Sequence, residues 1–297
     1  MISVVILNFK RPHNVETLVE TIRSYPEIDD ILVAHGREDT YREFAGCTNL
    51  TQFDENEEFG GARRFFVARR CRHDAVLFLD DDTVPSAGLV RRLHRAYRRD
   101  PIGLYGPIVR RCDSGGYQTK GFASYNIVLT PCLLTSKRVV GADVDGFGTY
   151  EAFLRRTHGN GEDLSLNHFL WTRWRKRPTR VGSPKDLRQL DTVTGAYSNK
   201  PAHWSQRNEF CQTYHFNTPA SRTPSEAIVR GGADRELARP FARGTSSGRR
   251  AKSGSAPSLA IVACAVAAGV VVAAIVMGPM VWRRRGERGE VADATAA

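Results

Sequence analysis

The 297-residue chain is 41% hydrophobic and 25% charged, an ordinary globular composition that excludes a fibrous repeat or a wholly disordered polymer. Its 43 Lys and Arg against 32 Asp and Glu give a net charge of +11, which suits a polyanionic partner or a membrane surface. The basic residues form no aromatic-interleaved stripe and no recognition motif, so no nucleic-acid partner is expected. Cys47, Cys71, Cys112, Cys132, Cys211 and Cys264 show neither CxxC nor metal-type spacing. Cys264 falls in an apolar run and the other five are too sparse for a disulfide framework, so reduced core thiols are expected.

Ser3-Val4-Val5-Ile6-Leu7-Asn8-Phe9 is the short, β-branched apolar run of a strand covered on both faces. Arg11-Pro12 interrupts it, and Pro12 suits the first turn of a helix in which Val15, Leu18, Val19 and Ile22 recur at helical spacing. Ile31-Leu32-Val33-Ala34 predicts a second strand, ending at His35-Gly36. A helix is expected from about Gly60 to Arg72, carrying Arg63, Arg64, Arg69 and Arg70. Ala75-Val76-Leu77-Phe78-Leu79 predicts a third buried strand that runs into Asp80-Asp81-Asp82, with a helix beginning near Ser86. Another helix follows Glu162-Asp163, with Leu166, Phe169, Leu170 and Trp174 on one face. Alternating strands and helices over residues 1–215 predict an α/β fold with an open, largely parallel sheet. Ligands of such sheets gather outside the carboxyl ends of the strands, where the three aspartates stand.

Three consecutive carboxylates repel one another unless a positive charge sits among them. A hard cation such as Mn²⁺ or Mg²⁺ meets that need, using one or two carboxylates and substrate phosphates. The bland alternative is a solvated acidic turn ahead of the next helix. Asp80-x-Asp82-x-Val84 after an apolar strand also resembles the first motif of haloacid-dehalogenase-type phosphohydrolases, with Asp80 as nucleophile and Asp82 as acid. That motif ordinarily follows a first strand, whereas two strand–helix units precede it here.

Residues 216–257, rich in Ser, Pro, Gly, Ala and Arg, are expected to be a disordered tether. Residues 258–282 predict a transmembrane helix: Leu259 to Trp282 is an uncharged apolar run, closed by Trp282 and by Arg283-Arg284-Arg285 at the head of a short tail, 283–297. The first residues enter a strand without the basic region and cleavage site of a signal peptide. The expected placement is a single-pass membrane protein with a cytosolic catalytic domain, a lumenal one being the alternative.

VLFLDDDTVPSAGL, around Asp80 to Asp82, resembles the metal-binding segment of GT-A glycosyltransferases, most of all the exostosin-like family. Asn8-Phe9-Lys10-Arg11 resembles its opening strand and turn, and Asn160-Gly161-Glu162-Asp163-Leu164 its acidic pair heading a helix. Gly195 to Arg207, with Pro201, His203, Trp204, Gln206 and Arg207, resembles its C-terminal segment. The resemblance covers residues 2–215 and implies a GT-A type, Rossmann-like α/β fold, with a mixed, mainly parallel sheet flanked by helices, and a metal-dependent transferase. Its substrates would be a nucleotide sugar, expected to be a UDP-sugar, and a glycan or glycoprotein acceptor.

The resemblance also implies roles for single residues. Asp82 would be the metal ligand, Asp80 would face the uridine or ribose, and Asp81, between them, would belong to the same nucleotide-sugar site. Arg11, Arg64 and His203 would line that site, with His35 standing where the family has an Asn after its second strand. Arg207 would neutralise the diphosphate leaving group, and Glu162 and Asp163 would face the reacting centre. The chain departs from the family at Gly161, where lumenal relatives have a cysteine, which leaves Cys211 without an obvious partner. It also departs near Phe59-Gly60, where an Asn is expected. A membrane-anchored nucleotide- or sugar-binding module without activity is the reading from a different class.

Overall fold

The computed structural model describes residues 1–141, 144–191 and 201–216. β1 (Ile2–Asn8) leads to α1 (Pro12–Ile22), β2 (Ile28–His35), β3 (Thr48–Thr51) and α2 (Phe53–Phe59). A 3₁₀ turn (Gly60–Arg63) continues into α3 (Arg64–Ala68), then β4 (Ala75–Asp80), β5 (Thr83–Pro85) and α4 (Ala87–Arg99). Short strands follow: β6 (Tyr105–Gly106), β7 (Val109–Asp113), β8 (Gly116–Gln118), β9 (Ile127–Val128) and β10 (Cys132–Ser136). The remaining elements are α5 (Lys137–Gly141), α6 (Val144–Arg156), α7 (Glu162–Trp174), β11 (Thr179–Arg180), β12 (Leu187–Gln189) and α8 (His203–Thr213).

The central sheet runs β11-β6-β10-β4-β1-β2-β3. β1 is parallel to β2 and β4, and β2 to β3, while β10 is antiparallel to both β4 and β6. The expected mixed, mainly parallel α/β sheet is therefore present. The continuous apolar runs of β1 and β4 follow from coverage on both faces. Val4, Ile6, Leu77 and Leu79 pack with Val15, Leu18, Leu89 and Leu93 of α1 and α4. Val5, Leu7, Val76 and Phe78 pack with residues of α3, α6, α7 and α8 on the other face. Replacing Ile6 or Phe78, both fully buried, by Ala costs roughly 2–5 kcal/mol.

The helix expected from Gly60 to Arg72 is instead a 3₁₀ turn followed by the short α3, which ends at Ala68. Gly60 takes a positive φ of 46° and Gly159 one of 77°, and each lies against the other's segment. A Cβ at Gly60 would stand 2.1 Å from the His158 carbonyl oxygen, and one at Gly159 2.0 Å from that of Phe59. Only glycine permits this backbone-to-backbone approach, which brings Arg64 beside the start of α7. The second strand also starts earlier than expected, at Ile28, because exposed Asp29 and half-buried Asp30 lengthen an edge that the apolar pattern misses.

The expectation of reduced thiols is corrected by a buried disulfide between Cys112 of β7 and Cys211 of α8, residues 99 apart in sequence. Cys47, Cys71 and Cys132 are free. Among the described residues no helix is long and apolar enough to cross a membrane. The expected tether and transmembrane helix, 216–257 and 258–282, lie outside the described residues apart from Phe216.

Candidate active site

Strand pairing places the site. Leu7 pairs with Asp80 and Asn8 with His35, so the carboxyl ends of β1, β2 and β4 lie side by side. Immediately past them the chain carries Arg11 at the cap of α1 and the three aspartates at the end of β4. Arg11 donates to Asp81 Oδ1 at 2.6 Å, and its other terminal nitrogen lies 3.0 Å from Asp82 Oδ2. The first residue of α3, Arg64, pairs with Asp80 at 2.7 Å and is 4.0 Å from Glu162. The guanidinium of Arg64 is fixed by the carbonyls of Gly61 at 3.0 Å and Thr130 at 3.2 Å. β12 closes one side: it pairs with β5, Leu190 N–H donates to the Asp82 carbonyl, and Arg11 and Asn14 both donate to the Asp191 carbonyl.

Two arginines thus neutralise the aspartates, so charge repulsion alone does not require a metal. The three carboxylates are also unequal. Asp81 is buried, and burial pushes its carboxyl up to about 7, opposed by Arg11 and aided by Asp80. The Asp80 and Asp82 side chains are 32% and 19% exposed, open enough to meet a ligand. No group of three or more His, Cys, Asp or Glu is arranged to hold a metal among the described residues. Asp82 Oδ1 accepts from the Thr83 hydroxyl at 3.0 Å and Oδ2 faces Arg11, so a hard cation completed by ligand oxygens would take Asp82 in place of Arg11.

Glu162 and Asp163 open α7, behind Gly161 at a left-handed φ of 98°. Burial raises the proton affinity of Glu162, aided by Asp163 and opposed by Arg64, and its Oε1 accepts from Thr130 at 2.8 Å. Asp163 is buried, takes the Leu164 N–H at 2.9 Å and faces Arg207 of α8 at 2.5 Å. Arg207 is also held by the Tyr117 hydroxyl at 3.1 Å and Asn160 Oδ1 at 3.4 Å, with its guanidinium 4.3 Å above the Tyr117 ring. Asn160 donates to the His203 carbonyl and to Gln206, tying the acidic pair's loop to α8. His203, first in α8, is driven down to about 4 by burial and by Arg207.

The structure therefore brings Asp80, Arg64, Glu162, Asp163 and Arg207 into one run of contacts, with Arg11, Asp81 and Asp82 alongside and His203 at its margin. His35 stands apart. It is fully buried, with one ring nitrogen 3.0 Å from Asn8 and the other 3.1 Å from Asn49, under Tyr41 and Phe44. Both nitrogens are used within the protein, so His35 holds the β1 and β2 ends and does not present a nitrogen to a ligand. Gly195 to Lys200 lie outside the described residues.

Sequence reasoning assigned no role to Tyr117, Thr130 or Asn160, which reach the site only through tertiary contacts. It also left Arg63 aside. Arg63 is buried, donates to the carbonyls of Gly60 at 3.1 Å and Asn8 at 3.3 Å, and is brought down to about 9 by burial and by Arg64.

An α/β sheet with arginines and carboxylates gathered at its strand ends is where such folds place their ligand sites. The chain belongs to glycosyl transferase family 64, whose domain model matches residues 2–218, and it is accordingly a glycosyltransferase. A sugar donor and an acceptor follow from that class. No curated protein matches the sequence. Among solved structures, HddC from Yersinia pseudotuberculosis is similar at 12% identity and a TM-score of 0.36, over 48% of this chain and 80% of that chain, too remote to carry an argument. Family membership sets aside the phosphohydrolase and inactive-module alternatives, and the ion pair of Asp80 with Arg64 does not suit an aspartyl nucleophile.

Proposed function

We propose that the enzyme moves a sugar from a UDP-sugar to a glycan or glycoprotein acceptor, with a GT-A, exostosin-like site that uses Mn²⁺ or Mg²⁺. The observation that carries this reading is the run Asp80–Arg64–Glu162-Asp163–Arg207, in which cations and carboxylates alternate from the strand ends to α8. Asp82 would hold the metal, whose chemistry is to neutralise charge on the diphosphate. Asp80 would face the nucleoside, and Asp81, locked to Arg11, would keep the loop in shape.

In the transfer, the bond from the anomeric carbon to the diphosphate oxygen breaks, and its electron pair stays with the diphosphate. The bond to the acceptor oxygen forms, and the acceptor's proton passes to a carboxylate of the 162–163 pair. Arg64 and Arg207 stand where negative charge grows, and cations held in place stabilise the transition state more than the ground state. Asp163, fixed by Arg207 and the Leu164 amide, faces the reacting centre with its geometry set in advance.

The apolar run from Leu259 to Trp282 supports a membrane-anchored enzyme. The Cys112–Cys211 bridge favours a catalytic domain in an oxidising compartment over a cytosolic one. UDP release from a panel of UDP-sugars with Mn²⁺ tests the reaction. Turnover with at least one donor, lost in Asp163→Asn while UDP binding persists, is the expected result. No turnover with any UDP-sugar, or turnover unchanged in Asp163→Asn, contradicts it.

A further inference from the structure

Trp204 is 47% exposed, one of the few large hydrophobic side chains in the described structure left open to water. It sits in the first turn of α8, three residues before Arg207, and its ring meets that of His203 edge-on at 4.8 Å. Tyr117 of β8 is a further aromatic neighbour, 6.1 Å away and tilted by 36°. Tyr117 is held in place on three sides. Arg207 lies over its ring, its hydroxyl meets the same guanidinium, and its backbone N–H donates to Asn208 at 2.8 Å. Gly116, at a φ of 106°, lets this strand approach α8, since a Cβ there would lie 2.8 Å from Asn208 Oδ1.

We infer that Trp204 and Tyr117 form a platform for the acceptor saccharide, beside the Asp163–Arg207 pair. The inference rests on the transferase reading above and names the acceptor's chemistry within it. A pyranose presents a face of C–H groups that packs on an aromatic ring, while its hydroxyls seek fixed polar groups at the rim. The exposed Trp204 ring beside Tyr117 supplies the first requirement, and the exposed Asn208 side chain supplies the second. Direction assigns the platform to the acceptor: the aspartates and Arg64 lie at one end of the run of ion pairs, and the aromatic pair lies beyond Arg207 at the other. Trp204 is thus a binding residue for the acceptor, with no part in holding UDP.

Saturation-transfer NMR on the full chain, with methyl β-pyranosides of hexoses and N-acetylhexosamines as probes, tests this. Saturation is expected on the ring C–H protons of at least one probe. Affinity should fall about tenfold in Trp204→Ala and recover in large part in Trp204→Phe, while the UDP-induced shift in melting temperature stays as in wild type. Tyr117→Leu, which also loosens Arg207, should lose both saturation and turnover. Saturation unchanged in Trp204→Ala overturns the platform, as does its absence in wild type when UDP still stabilises the protein. Saturation that depends on Trp204, without any response to UDP, leaves the platform standing and overturns the donor reading.

Discussion

Arg207 of α8 and Asp163 of α7 form an ion pair at 2.5 Å, with their side chains only 6% and 5% exposed. Tyr117 and Asn160 occupy further positions around the guanidinium, so the pair joins two helices and β8 at the proposed reacting centre.

Removing the cation leaves a buried carboxylate without its counter-charge. Arg207→Ala is expected to cost about 3–5 kcal/mol of stability and to lower kcat roughly 10²–10³-fold, the scale of a lost charge-stabilising donor. Thermal unfolding and UDP release measure the two effects. A variant as stable as wild type would show that the pair is not closed in solution.

Asp81 and Asp82 should separate cleanly. Asp81 is buried against Arg11, so Asp81→Ala should destabilise the domain by about 3 kcal/mol. Asp82 keeps a more exposed side chain, and Asp82→Ala should change stability by less than about 1 kcal/mol. Equal losses in denaturant unfolding contradict the division between a structural and a ligand-facing carboxylate.

His203 gives stability a pH dependence whose sign can be worked out. Its folded value of about 4 lies below its ordinary value of 6.5. Between those values the unfolded chain binds a proton that the folded chain does not, so stability falls as pH drops through that window. His203→Asn should flatten the slope of unfolding free energy against pH from 6.5 to 4. An unaltered slope contradicts the burial of a neutral imidazole.

The disulfide closes a loop of 99 residues across the site's two halves. Cys112→Ser or Cys211→Ser should lower stability by about 2–5 kcal/mol, or roughly 4–20 °C in Tm for a domain of this size. Amide exchange in α8 should rise with it, because the bridge is a direct covalent tie from α8 to β7.

Which parts could be read from the sequence follows from the range of the forces involved. β1 and β4 announce themselves because burial on both faces leaves no polar residue in the run. The Asp80–Asp82 loop, Glu162-Asp163 and Arg207 were legible as motifs, with their order along the chain. Their pairings were not: Arg11 meets Asp81 across 70 residues and Arg207 meets Asp163 across 44. α2 was missed because Asp54, Glu55, Glu57 and Glu58 leave it only Phe53 and Phe59 as apolar residues. β10 was missed because Cys132 to Ser136 is short and becomes a strand only by pairing antiparallel with β4, some fifty residues away in sequence. The disulfide was missed for the same reason, and the burial of His35 under Tyr41 and Phe44 was not legible because those residues reach it only through the fold of the loop.

Calorimetric titration of UDP into wild type and Asp82→Asn, with and without Mn²⁺, tests the donor site most directly. Wild type should bind UDP more tightly with Mn²⁺, by about tenfold or more, and Asp82→Asn should lose that gain while keeping the wild-type melting temperature. Equal UDP affinity with and without Mn²⁺ in wild type, or a metal-dependent gain that survives in Asp82→Asn, would contradict a metal held by Asp82.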